Sequence, residues 1–300
     1  MDPRPAEEQA VSFNEGVQID PGRASSSRGG GGLAIGGGAG GLVLLVLALV
    51  FGVNPADLTG GGGLPADDGQ GFEQCRTGAD ANTDVDCRII ATAESLDAVW
   101  ETELPATGVA YVQPDLVIFT QQVSTACGSA TSAVGPFYCP PDQTVYLDSD
   151  FFSLLRERFG ASGGPLAEEY VVAHEFGHHI QNQLGLLGRG QADPRGPESG
   201  AVRVELMADC LAGVWAHHAA STPDPESGQP FLQPLTDADV SDALSAAAAV
   251  GDDRIQESTQ GQVNPEAWTH GSSQMRQRWF LAGYSSGAAG DCDTFAADDL

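Results

Sequence analysis

Apolar and polar positions divide the chain into regimes that predict its organisation. Residues 1–28 show neither helical nor strand periodicity and are rich in Ser, Gly, Pro and acids, a composition that predicts a disordered tail. Residues 29–56 contain no charge, and 42–53 (LVLLVLALVFGV) is almost wholly apolar. The stretch 33–53 approaches the ~20 residues needed to span a ~30 Å hydrocarbon core, so it predicts a single transmembrane helix. A cleaved signal peptide fits less well, because the apolar run starts late and no small-x-small cleavage site follows it. Residues 54–71 (NPADLTGGGGLPADDGQG) read as a flexible tether.

From residue 72 the pattern changes to that of a globular domain, running to about 295 with a flexible tail over 296–300. Apolar spacing and helix formers predict helices over 92–102, 149–159, 165–184, 204–219, 237–250 and 274–281. Strand formers cluster over 109–121 and 143–147. Few strands followed by many helices give an α+β fold class.

Charge sharpens the picture. The 300 residues carry 13 basic against 41 acidic side chains, a formal net charge of -28, which excludes nucleic acid and anionic lipid as natural partners. Arg23 and Arg28 precede the apolar stretch, and no basic residue follows until Arg76. That asymmetry predicts a cytoplasmic N-terminus and an extracytoplasmic domain at the cell membrane. Six cysteines, none in the close spacing of a zinc ribbon, suit an oxidising compartment. The two gaps of 12 suggest the pairs Cys75–Cys87 and Cys127–Cys139, leaving Cys210 with Cys292, although six cysteines allow 15 connectivities.

The candidate chemistry sits in the predicted helix 165–184. His174, Glu175 and His178 spell His-Glu-x-x-His, and residues four apart share a helix face, so both imidazoles can meet one metal ion with Glu175 beside it. A catalytic zinc takes three protein ligands and keeps one position open. Glu205 and Asp209, again four apart on a predicted helix, resemble the glutamate-zincin arrangement, with Glu205 as third ligand and Asp209 orienting a ligand His. The small residues Ala208, Ala212 and Gly213 near that face would let the two helices approach closely. Zinc-bound water would be the nucleophile and Glu175 the general base. His270 is the candidate to stabilise the oxyanion, ahead of Tyr146 and Tyr138. His179 reads as a packing residue, and His217 and His218 as surface residues.

Several segments together resemble the bacterial membrane-anchored family of neutral zinc metallopeptidases. They are FGVNPADL (51–58), ACGSATSAVGPFYCPPDQTVYLD (126–148), HEFGHHIQNQLG (174–185), RVELMADCLAGVW (203–215), THGSSQMRQRWFLAGY (269–284) and CDTF (292–295). The resemblance implies a zincin-like fold of minimal gluzincin type behind the anchor, one Zn2+ per chain, and peptides or proteins as substrates. A substrate strand is expected to pair with an edge formed by 109–121 or 143–147. A non-peptidase zinc hydrolase, or an envelope binding or chaperone-like protein with a vestigial zinc site, would use the same ligands.

Overall fold

The computed structural model describes residues 12–28 and 71–300. The apolar stretch 33–53 and most of the tether lie outside these residues. Among the described residues, no helix is long and apolar enough to cross a membrane.

The fold is α+β, as the sequence pattern predicts. A four-stranded sheet has the order β1 (Ser25–Arg28), β2 (Asp115–Thr120), β6 (Thr144–Asp148), β5 (Phe137–Cys139). β1, β2 and β6 run parallel, and β5 returns antiparallel to β6. The strands expected to offer a substrate edge, β2 and β6, are therefore the two inner strands. β1 and β5 form the edges. The predicted strand 109–121 begins only at Asp115, because Pro114 has no N–H for a ladder. Ahead of it, the Val112 carbonyl instead accepts from His179 and Gln183. The hairpin β3 (Gln122–Thr125) and β4 (Gly128–Thr131) covers a satellite core of Phe119, Val123, Ala130, Val134, Phe137 and Tyr146.

The helices, in chain order, are α1 (Gly78–Thr83), α2 (Val85–Glu103), α3 (Phe151–Glu157), α4 (Pro165–Gln183), α5 (Leu187–Ala192), α6 (Gly200–Ala219), α7 (Asp237–Ala249), α8 (Asp252–Gln260) and α9 (Ser273–Ser286), and α4 lies against strands β5 and β6. Pro165 starts α4, where its missing N–H is harmless. The Ser199 hydroxyl caps α6 at the Val202 amide. α4 is buried along almost its whole length, between α6, α7 and α2. Gly177 makes the close approach possible: a Cβ there would lie 3.0 Å from Ala208 Cα and O on α6. Ala208 thus does what the sequence predicts. Gly213 serves a different contact, since its Cβ would fall 2.1 Å from the Phe280 carbonyl of α9. Gly283 answers it from α9, with a Cβ position 1.9 Å from the Cys210 carbonyl.

The disulfides are Cys75–Cys87, Cys127–Cys139 and Cys210–Cys292, the pairing that the spacing suggests. The last of these ties the C-terminal segment to α6. Residues 296–300, expected to be a loose tail, also pack: Ala297 and Leu300 lie against the core, and Arg278 donates to the Leu300 carbonyl at 3.0 Å.

A larger correction concerns the N-terminal segment. Residues 12–28 form an ordered arm built into the domain. Phe13 and Val17 are 0% exposed and Ile19 6%; burying side chains of this kind contributes about 1.5–3 kcal/mol each. Asn82 of α1 receives the Ser12 and Phe13 amides on its Oδ1 and donates to the Phe13 carbonyl. Arg23 Nε donates to Asp97 Oδ2 of α2 at 2.7 Å, and its guanidinium lies over the Phe176 ring of α4. Ser12 Oγ donates to Glu169 Oε2, also on α4. Gly78 must be glycine, because a Cβ would sit 2.0 Å from the Asn14 carbonyl. Composition concealed the arm because its few apolar side chains have no regular spacing, and its partners lie up to 218 residues away.

Candidate metal centre

The helical offset of four brings His174 and His178 together as their sequence predicts, and α6 carries Glu205 to the same point. One nitrogen from each imidazole and one Glu205 oxygen lie within 4.8 Å of one another. His174 Nε2 stands 3.2 Å from Glu205 Oε2, and His178 Nε2 3.5 Å from Oε1. Two imidazole nitrogens and a carboxylate oxygen converging in this way match the donor set of a catalytic zinc.

Both rings are held so that Nε2 faces the cluster. His174 Nδ1 donates to Asp209 Oδ1 at 2.8 Å. His178 Nδ1 donates to Gln181 Oε1 at 2.9 Å, and Gln181 Nε2 donates in turn to the Val204 carbonyl beside Glu205. These contacts assign the tautomers from the hydrogen-bond network and leave each Nε2 free for a metal. Asp209 was expected from the sequence; Gln181 was not, although its position three residues after His178 on the same helix is a readable signal.

Behind this layer Asp209 is fully satisfied. Its Oδ1 accepts from Tyr170 Oη (2.5 Å), His174 and Arg276 Nη2 (2.9 Å), and its Oδ2 from Arg276 Nε (2.8 Å). Asp209 and Arg276 are sealed at 0% and 3% exposure, whereas His174, Glu175 and Glu205 keep 7%, 8% and 8%. The ligand layer therefore meets solvent, and the layer supporting it does not. Arg276 was missed in the sequence. It stands in a run of polar residues on α9, and nothing there marks it as buried.

The charges are mutually supportive. Burial works to lower the His174 pKa, but the Asp209 charge and hydrogen bond and the Glu205 contact outweigh it, raising it to about 9. Burial works to raise the Glu205 carboxyl, yet His178, His270 and His174 hold it well below the usual carboxylate range. Asp209 is lowered against burial by Arg276 and His174. Glu175 differs: burial raises it, with His178 and His174 only partly opposing. A carboxylate shifted upward beside candidate ligands is placed for proton transfer.

His270 bonds outside the cluster of three donors and reaches it through charge. It and Glu205 feel each other's charge, and Asp252, the first residue of α8, holds it. Asp252 Oδ2 accepts the amides of Thr269, His270 and Gly271, and Oδ1 lies 3.2 Å from His270 Nδ1. Burial works to lower the His270 pKa, but Asp252 and Glu205 together raise it. The sequence did not reveal Asp252, which looks like an ordinary acid in the first turn of a helix.

The other candidates have different work. Tyr146 Oη donates to Asp142 and its ring stacks on Phe137. Tyr138 Oη bonds His179 Nδ1 and Asn182. His179 also donates from Nε2 to the Val112 carbonyl at 2.6 Å, so it packs α4 against the segment before β2. His217 and His218 reach the Tyr284 and Gly287 carbonyls at the end of α9.

The family model described as "Putative neutral zinc metallopeptidase" matches residues 12–295, taking in the arm as well as the domain. The chain belongs to that family, which implies zinc as cofactor. An uncharacterised protein of Mycobacterium tuberculosis is 55% identical over 296 residues, covering 97% of this chain and 100% of its own. The uncharacterised protein YpfJ of Escherichia coli K12 is 39% identical over 260 residues, covering 85% of this chain and 86% of its own. No solved structure matches the chain.

Proposed function

We propose that this member of the neutral zinc metallopeptidase family hydrolyses peptide bonds at the cluster of His174, His178 and Glu205, in an oxidising compartment outside the cytoplasm. The observation that carries the reading is the convergence of three donors within 4.8 Å, next to a non-ligating carboxylate whose pKa is raised. A purely structural site would have no use for Glu175. The three disulfides support the compartment.

His174 and His178, through Nε2, and Glu205, through a carboxylate oxygen, would hold the zinc. When bound, the ion acidifies a water molecule and polarises the scissile carbonyl. Glu175 takes the proton from the attacking water and delivers it to the leaving amine. Its upward-shifted pKa suits both halves of that cycle, since a very strong acid could not hold the proton between steps. His270 donates from Nε2 to the oxyanion of the tetrahedral species in its protonated form, which Asp252, accepting from Nδ1, and the Glu205 charge both favour. A zincin-like architecture accords with α4 supplying two ligands and α6 the third.

The test is hydrolysis of mixed peptide libraries, set against ester and non-peptide amide panels, by wild type and Glu175→Gln. Cleavage of peptides that disappears in Glu175→Gln while zinc stays bound supports the reading. Retained turnover in the variant would refute Glu175 as base, and activity confined to esters would refute peptidase function.

A further inference from the structure

The arm has a consequence for how the chain can meet a membrane. The sequence pattern places a crossing at 33–53, with 1–28 on one face and the domain on the other. Yet the residues flanking that stretch on both sides belong to one folded unit. On the N-terminal side β1 pairs in parallel register with β2, from Ser25 opposite Val117 to Arg28 opposite Thr120. On the C-terminal side Phe72 is 6% exposed in the same core as Phe13 and Val17. Further bonds join the two flanks directly: the Ile19 amide donates to the Arg76 carbonyl at 2.9 Å, and the Gly78 amide to the Val17 carbonyl at 2.9 Å.

A single crossing would hold these partners apart by the thickness of the hydrocarbon core, ~30 Å. None of the bonds survives that separation. The positive charge that argued for a cytoplasmic N-terminus also has a local use, since Arg23 is 9% exposed in its ion pair with Asp97.

We infer that residues 12–28 and the domain from residue 72 onward lie on the same side of any membrane the chain meets. Arg28 and Gly71, the described residues on either side of the apolar stretch, thus stand on one side of the membrane. The arm is a component of the domain, touching α4 through Ser12–Glu169 and Arg23–Phe176.

The test is site-directed thiol labelling of the full chain. All six native cysteines are in disulfides, so an introduced cysteine is the reactive thiol. Glu15→Cys reports the arm and Thr102→Cys the domain, both at exposed positions; Gln18→Cys is a second arm reporter should the first misfold. Spheroplasts are treated with a membrane-impermeant maleimide before or after lysis. Arm and domain reporters that react under the same condition, both before lysis or both only after it, support the inference. A split, with the domain labelled in intact spheroplasts and the arm only after lysis or the reverse, overturns it.

Discussion

Arg276 grips both oxygens of Asp209, Nε on Oδ2 at 2.8 Å and Nη2 on Oδ1 at 2.9 Å, in a layer closed to water. Asp209 in turn orients His174. Arg276→Gln would leave a buried carboxylate without its counter-charge, at a cost of about 3–5 kcal/mol. Arg276→Lys keeps the charge but loses the two-pronged geometry, so its loss should be smaller. Urea denaturation of the three proteins gives the ranking, and equal stability of wild type and Arg276→Gln would contradict the pairing.

The partners of the histidine Nδ1 atoms should control metal affinity separately. Asp209→Asn removes the negative charge that His174 Nδ1 faces, and Gln181→Leu removes the acceptor of His178 Nδ1. Each is expected to weaken zinc binding about 10–100-fold. Competition against a chelator of known affinity measures this, and unchanged affinity in both variants would show that the rings are oriented by other means.

How much of this could be read from the sequence depended on periodicity and spacing. The helix with His174 and His178 was predicted over 165–184 and runs Pro165–Gln183, because its apolar stripe and N-terminal proline are local signals. Glu205 and Asp209 followed from the same offset of four on a second helix. Asp252 and Arg276 did not, since each acquires its role only when α8 and α9 fold against residues tens of positions away. The arm was misread for the same reason: Phe13, Val17 and Ile19 form no repeating pattern, and their burial is set by remote loops and helices. The edge of the sheet was misassigned because strand order is a tertiary property that strand formers do not encode.

His270 and Asp252 should act on turnover more than on binding. His270→Ala is expected to lower kcat by about 10²–10³, the usual loss for one oxyanion donor, with zinc content unchanged. Asp252→Asn should fall in the same direction, less steeply. Steady-state kinetics on a peptide cleaved by the wild type checks this, and wild-type kcat in His270→Ala would remove it from the mechanism.

Two acids that grip the arm make the stability of the fold pH-dependent. Burial raises Glu94 to about 8, against the Asp20 amide bond that lowers it; Asp20 and Asp224 add to the rise and Arg23 opposes it. Burial raises Glu169 to about 7, with Arg88 and Ser12 opposing and Glu168 and Asp239 adding. Both folded-state values exceed the ordinary 4.5, so the folded protein binds these protons more tightly than the unfolded chain does. Their contribution is complete below about pH 4.5 and is lost as pH rises through about 7 and 8. Melting temperatures measured between pH 5 and 8.5 should therefore fall less in Glu94→Gln and Glu169→Gln than in wild type. Parallel curves would contradict the assignment.

The Cys210–Cys292 bond closes a loop with a sequence separation of 82 and ties the C-terminal segment to the helix of Glu205. Chain-entropy reasoning gives its removal, as Cys210→Ala with Cys292→Ala, a cost of about 4–5 kcal/mol. The double variant should melt well below wild type, and an unchanged melting temperature would show that the bond does not constrain the unfolded chain.

The central claim is that His174, His178 and Glu205 form one zinc site, and metal content tests it most directly. The protein to use is the full chain, because residues 12–28 belong to the fold. Mass spectrometry of the native protein should find one zinc per chain in wild type, and little or none in Glu205→Ala at the same protein and metal concentrations. A folded wild type without zinc, or a Glu205→Ala protein that retains it fully, would contradict the account.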